Sequence, residues 1–262
     1  MTTRNVALVT GASGGIGEAL ARELGARGHD LVLVARSRER LDALAAELAA
    51  AHGLVATPIA ADLAVAGAGH ALARELGHRG LPIDVLVNNA GFGDFGEFWS
   101  AEAPKIDQMI LLNMATLTEL FHDLLPGMVE RKRGWVMNVA STAAFMPGPW
   151  MAVYYATKAY VLSLSEAVHE ELKGTGVSVT ALCPGPTESE FQAAAAMEES
   201  KLVKGRKIMS AATVARLGVD GMLKGRPVVV TGLKNRVQAL TPKFTPRRLM
   251  VQVVKRAQAA AH

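Results

Sequence analysis

Near the N-terminus the apolar run Val6-Ala7-Leu8-Val9 leads directly into Thr10-Gly11-Ala12-Ser13-Gly14-Gly15-Ile16-Gly17, and that turn leads into the amphipathic stretch Glu18-Ala19-Leu20-Ala21-Arg22-Glu23-Leu24. A buried strand, a glycine turn and a helix in this order constrain the fold more than any other feature of the chain. Glycines at 11, 15 and 17 allow a tight turn and close approach of the backbone to an anion. The first turn of the following helix offers N–H groups and a partial positive charge. The segment reads as a phosphate site opening a β-α-β series, although its spacing is G-x-x-x-G-x-G and not G-x-G-x-x-G.

The alternation continues to about residue 230. Apolar runs at Val6–Thr10, Leu31–Ala35, Leu54–Ala60, Val85–Asn88, Trp135–Val139, Val177–Cys183 and Val228–Thr231 are separated by stretches of helical periodicity, with no low-complexity linker. Runs apolar on both faces belong in a parallel sheet covered on both sides. The expected fold is α/β: a Rossmann-type, doubly wound parallel sheet of about seven strands in a single domain over residues 1–262, with a basic helical extension over 233–262. No run approaches a membrane span and no basic-then-apolar leader precedes the first strand, so a cytoplasmic location is expected. Cys183, the single cysteine, cannot pair internally and reads as a small core residue. The net charge of +4 is concentrated in residues 201–207 and 234–256. No aromatic side chains interleave with those cations as a base-stacking platform, so the partner is not expected to be nucleic acid. No metal is expected.

Helical spacing of Val161, Leu162, Leu164, Ala167, Val168 and Leu172 places Trp150–Lys173 on a helix. Tyr154 and Lys158, four apart, then project from one face. A phenol of pKa about 10 is a poor base at neutral pH, and a neighbouring ammonium favours its ionised form. Tyr155 lacks that four-residue separation. Ser141 follows the fifth apolar run, at the end of a strand where open α/β sheets bind ligands, and a hydroxyl there can polarise a carbonyl. Asn113 interrupts the apolar helix pattern Ile106–Leu125, where a buried amide must find partners, a water among them.

Taken together, these motifs resemble the short-chain dehydrogenase/reductase family over about residues 5–232. The resemblance rests on Thr-Gly-x-x-x-Gly-x-Gly at 10–17, Asp62 after the third strand, Asn88-Asn89-Ala90-Gly91 after the fourth, Asn113, Ser141, Tyr154-x-x-x-Lys158, and Pro184-Gly185-Pro186-Thr187 after the sixth. It implies a nicotinamide cofactor and reversible carbonyl–alcohol chemistry on a small molecule. By that resemblance Tyr154 gives a proton to the substrate oxygen in reduction and removes it in oxidation. Lys158 lowers the tyrosine pKa and holds the nicotinamide ribose, Ser141 hydrogen-bonds the substrate oxygen, and Asn113 helps place a proton-relay water. It further implies a cofactor site built from Gly11, Ser13, Gly15, Ile16 and Gly17, with Asp62 at the adenine amino group. Asn89, Ala90 and Gly91 would lie beside the adenosine, and the backbone around Pro184, Gly185 and Thr187 at the carboxamide.

The second strand ends at Arg36-Ser37-Arg38, where an acid would hold ribose hydroxyls and repel a phosphate. A guanidinium suits a 2′-phosphate, with Ser13 and Ser37 as further donors, so the expected cofactor is NADP(H). Arg38 reads equally as a helix-surface charge.

Residues 188–210, with Phe191 and Met197, look like a substrate lid. Phe92, Phe95 and residues 143–150 complete a pocket expected to be lipophilic. A homodimer or homotetramer is implied by the resemblance. In the C-terminal stretch Leu249, Met250, Val253 and Val254 share a face. That face reads first as packing, over the chain's own pocket or a second subunit, and secondarily as peripheral contact with an anionic membrane. The alternatives left open are a non-catalytic NADP(H)-binding sensor or scaffold, and a lipid-type ketone reductase associated with a membrane surface through its basic tail.

Overall fold

The computed structural model describes residues 4–188 and 208–258. The apolar runs form strands β1 (Val6–Thr10), β2 (Asp30–Ala35), β3 (Ala56–Ala60), β4 (Val85–Asn88), β5 (Gly134–Val139) and β6 (Val177–Cys183). After a short pairing of β7 (Thr187–Glu188) with β8 (Met209–Ser210) comes β9 (Val228–Val230). The longer strands lie parallel in one sheet of order β3-β2-β1-β4-β5-β6-β9. The winding direction reverses between β1 and β4, and a crevice opens at the carboxyl ends of the strands on either side of that point. The third strand starts two residues later than its apolar run, because Gly53 closes the preceding helix in a left-handed conformation and Val55 faces solvent.

The helices are α1 (Gly15–Ala26), α2 (Arg38–His52), α3 (Ala68–His78), α4 (Ala103–Ile110), α5 (Leu117–Glu130), α6 (Ala152–Glu171), α7 (Ala211–Leu223), α8 (Leu233–Leu240) and α9 (Arg247–Gln258). Alternation along β1 sends Ala7 and Val9 to one face, under Leu20, Leu24, Leu41 and Val214. Leu8 goes to the other, with Leu72, Leu76, Leu120 and Phe121. Each fully buried leucine contributes about 2 kcal/mol of transfer free energy, which anchors both helical layers to the sheet. The expected long helix over 106–125 is interrupted: Leu111–Thr116 winds as a π-turn between α4 and α5, and Asn113 lies inside it. The lid expected over 188–210, with Phe191 and Met197, lies almost wholly outside the described residues.

Candidate active site

β5 ends at Val139, and Ser141 caps the short 3-10 turn Thr142–Phe145, its Oγ accepting from the Ala143 N–H at 3.1 Å. The Ser141 hydroxyl also hydrogen-bonds the buried Tyr154 phenol, which α6 carries on the face turned to the strand ends. One turn further along α6, Lys158 Nζ lies 5.8 Å from the centre of the Tyr154 ring and donates to the Val139 carbonyl at 2.7 Å. The helix spacing and the strand end thus bring Ser141, Tyr154 and Lys158 together.

The electrostatics depart from the simple expectation. Burial dominates and pushes the Tyr154 phenol well above its usual range, with only the Ser141 hydrogen bond opposing it. Burial likewise lowers Lys158 to about 8, and no carboxylate pairs with its ammonium among the described residues. Burial thus favours the protonated phenol of Tyr154 over the phenolate.

Asn113 is buried, and its amide is taken up by protein partners. Oδ1 accepts from Phe92 N at 3.1 Å, and Nδ2 donates to Phe92 O at 2.9 Å and Thr157 Oγ1 at 3.1 Å. Thr157 in turn donates to the Tyr154 carbonyl at 2.8 Å. The side chain expected to place a water therefore also ties the loop after β4 to the helix that carries Tyr154. Thr157 and the Phe92 backbone escape a sequence reading because hydroxyls and peptides carry no motif of their own.

The glycine turn sits against the segment after β4. Asn89 Nδ2 donates to Thr10 O at 3.0 Å and Gly11 O at 3.2 Å, while the Asn89 and Ala90 N–H groups share Thr10 Oγ1. A Cβ on Gly17 would lie 2.1 Å from the Gly11 carbonyl oxygen and 2.4 Å from Asn89 Nδ2, so no larger residue fits without moving backbone. Gly11 has φ +67°, a left-handed conformation that glycine adopts without strain. Ser13 and Ile16 are part-buried in this turn. Helix α1 starts at Gly15 with no side chain capping it, which leaves its first amides available to an anion.

Around the same edge, Arg36 is exposed after β2 and makes no ion pair or hydrogen bond among the described residues. Arg38 instead pairs with Asp42 at 2.9 Å on the surface of α2. Ser37 caps α2. Asp62 is exposed after β3 and accepts from Ala64 N. Gly91 follows β4, where a Cβ would lie 2.8 Å from Asn113 Oδ1. After β6, Pro184 accepts from Thr142 N, and Thr187 donates to Gly185 O. These residues fit a dinucleotide carrying an extra phosphate: an uncapped helix start, a crowded glycine turn and an uncommitted guanidinium share one edge of the sheet. Lys158, buried and with one hydrogen bond among the described residues, carries two further N–H donors.

An apolar cluster lies over the tyrosine. Met109, Ala143, Met151, Tyr154 and Tyr155 pack with Met250 and Val254 of α9, and Phe92, Phe95 and Met146 line its flank. Gln258, wholly buried at the end of α9, donates to the Tyr155 hydroxyl. The C-terminal helix therefore packs its inward face on the cluster that holds Tyr154 and Tyr155. Of the four apolar residues expected on one face, Met250 and Val254 point inward and Leu249 and Val253 outward, because neighbours in sequence diverge by about 100° around a helix. Gln258 lies on the inward face at i+4 from Val254, and that spacing was the available signal for it.

Comparison with known proteins agrees with this geometry. The family model described as short chain dehydrogenase matches residues 5–200. The very-long-chain 3-oxoacyl-CoA reductase of Anas platyrhynchos is 37% identical over 182 residues, a match covering 68% of this chain and 58% of that protein, less than two thirds of the relative's length. A short-chain dehydrogenase from Sphingobium yanoikuyae, solved in complex with NADPH, superposes with a TM-score of 0.82 at 34% identity, covering 98% of each chain. The bulky-bulky ketone specific alcohol dehydrogenase from Comamonas testosteroni gives a TM-score of 0.79 at 28% identity, covering 100% of this chain and 97% of that one.

Proposed function

Because the chain belongs to the short-chain dehydrogenase family, we propose that it is an NADP(H)-dependent oxidoreductase interconverting a carbonyl and an alcohol on a lipophilic substrate, with Tyr154 as general acid and base. The observation that carries this reading is the convergence of Ser141, Tyr154 and Lys158 at the carboxyl end of β5, beside the glycine turn and beneath an apolar cluster. Bound NADP(H) supplies or accepts the hydride.

The chain's own residues do the rest. Ser141 Oγ, already oriented by Ala143 N, directs its hydroxyl toward a substrate oxygen. Tyr154, held protonated by burial, donates to that oxygen as it gains charge in the reduction direction. Lys158, 5.8 Å from the centre of the phenol ring, would hold the nicotinamide ribose. Asn113 fixes Phe92 and, through Thr157, the backbone of Tyr154, besides the relay role its family position implies. Met250, Val254, Phe92 and Phe95 exclude water from the reacting atoms. In the oxidation direction the same burial opposes loss of the phenolic proton, so alcohol oxidation gains more from raised pH than carbonyl reduction does.

Three observations support NADP(H) and a bulky apolar carbonyl. Among the described residues Arg36 makes no ion pair or hydrogen bond, and the segment Arg36-Ser37-Arg38 after β2 contains no acid. The Sphingobium relative binds NADPH. The related enzymes are named for long-chain 3-oxoacyl and bulky ketone substrates. A cytoplasmic homodimer or homotetramer belongs to the same reading.

Equilibrium binding of NADPH and NADH to the wild type and to Arg36→Asp tests the cofactor. The wild type should prefer NADPH by at least about tenfold, a difference of about 1.4 kcal/mol, and the variant should lose or reverse that preference. Failure to bind either nucleotide would refute the reading.

A further inference from the structure

We propose that α8, α9 and the Phe98-Trp99 turn form a docking face for an anionic lipid bilayer at the rim of the pocket. Between residues 233 and 258 the sequence holds seven lysines and arginines and no acid. Helix α8 places Leu233, Val237 and Leu240 at intervals of four and three, a single stripe, and all three are exposed while only Ala239 is buried. Phe244, in the turn that follows, is 85% exposed. Helix α9 buries Met250 and Val254 in the apolar cluster and Gln258 against Tyr155, and presents Leu249 and Val253 to solvent.

On the other side of the rim, Trp99 is 79% exposed. Its turn is tied to Trp150 through the hydrogen bond from Gly96 N to Trp150 O at 2.9 Å, and Lys255 of α9 lies 5.5 Å over the Trp150 ring. The tryptophan turn and α9 thus flank Trp150, whose ring lies beside Phe95 of the apolar cluster. Of the twelve large hydrophobic residues exposed among the described residues, eight fall on these two segments. A soluble surface seldom gathers them so closely unless something covers them.

Charge selects the occupant. Apposing the α8–α9 part of this face, which is free of acids although Glu97 and Glu102 flank the tryptophan turn, to a second copy of itself would bring two cationic surfaces together, which like-charge repulsion opposes. An anionic headgroup layer instead neutralises the cations while the outward leucines, valines and aromatic rings enter the acyl boundary. No helix among the described residues is long and apolar enough to cross a membrane, so the contact is peripheral. Delivery of a lipophilic carbonyl from the bilayer to the pocket rests on the reductase reading; the docking itself does not.

The test is co-sedimentation of the full chain with phosphatidylcholine vesicles, with and without phosphatidylserine. It compares the wild type with Lys243→Glu/Arg247→Glu/Arg248→Glu and with Leu233→Gln/Phe244→Gln, and NADPH binding is read on each sample. The wild type is expected to sediment with the anionic vesicles only. The charge variant should bind at least about tenfold more weakly, the apolar variant should bind more weakly too, and all should keep NADPH binding. An absence of partition by the wild type, or unchanged partition by the charge variant, would overturn the proposal. So would self-association that these variants abolish, with no vesicle binding, which would assign the face to a second copy. Vesicle binding without NADPH binding would uphold the docking and refute the reductase reading.

Discussion

Lys158 combines two demands that oppose each other. Its ammonium is buried and, among the described residues, hydrogen-bonded to one carbonyl and paired with no carboxylate, so the folded chain bears a desolvation penalty and its pKa falls to about 8. An apolar residue of similar length removes that penalty, and Lys158→Met should stabilise the ligand-free protein by about 1–3 kcal/mol while abolishing turnover. The sign of the pH dependence follows. Between about 8 and the ordinary 10.5 the unfolded chain holds a proton that the folded chain has lost, so this residue's contribution to stability rises with pH across that window. Above 10 the raised phenols of Tyr154 and Tyr155 work the other way, since unfolding lets them ionise. Chemical denaturation of wild type and Lys158→Met at several pH values checks both points: the gap between the two proteins should narrow from pH 8 to 10, and a constant gap would contradict the account. The spacing of Tyr154 and Lys158 was legible because a helix dictates it. The direction of their pKa shifts was not, because it depends on what surrounds them in three dimensions.

At the scale of elements, the strands were legible almost to the residue, since apolar runs buried on both faces leave little alternative. Two helical features were not. The π-turn at Leu111–Thr116 covers too few residues for its wider winding to alter the apolar pattern, and its purpose shows only in the bonds from Asn113 to Phe92 and Thr157. Helix α9 carries an apolar face in sequence, but the way that face divides between pocket and solvent depends on where Tyr155 and Met151 lie. If α9 shapes the pocket, Met250→Ala should cost about 2–4 kcal/mol and shift kcat/KM toward bulkier ketones, with NADPH affinity unchanged. Steady-state kinetics on a graded ketone series reads this, and a loss of stability with no change in selectivity would make α9 a structural cover only.

For the molecule as a whole, a parallel sheet with one reversal of winding gathers the glycine turn, Arg36, the segment after β4, Ser141 and the Pro184–Thr187 segment on one edge, although they are spread across much of the chain. The residue types and their order after successive strands made this site legible in the sequence. Its apolar roof was legible only as one of several fates for the tail. The central claim is that this edge transfers hydride between NADP(H) and an apolar carbonyl with Tyr154 as the acid. The most direct measurement is the rate of NADPH oxidation with a bulky apolar ketone, wild type beside Tyr154→Phe, with NADPH binding read for both. The account predicts retained binding and a turnover lower by about 10²–10⁴ in the variant; equal turnover in the two proteins would contradict it.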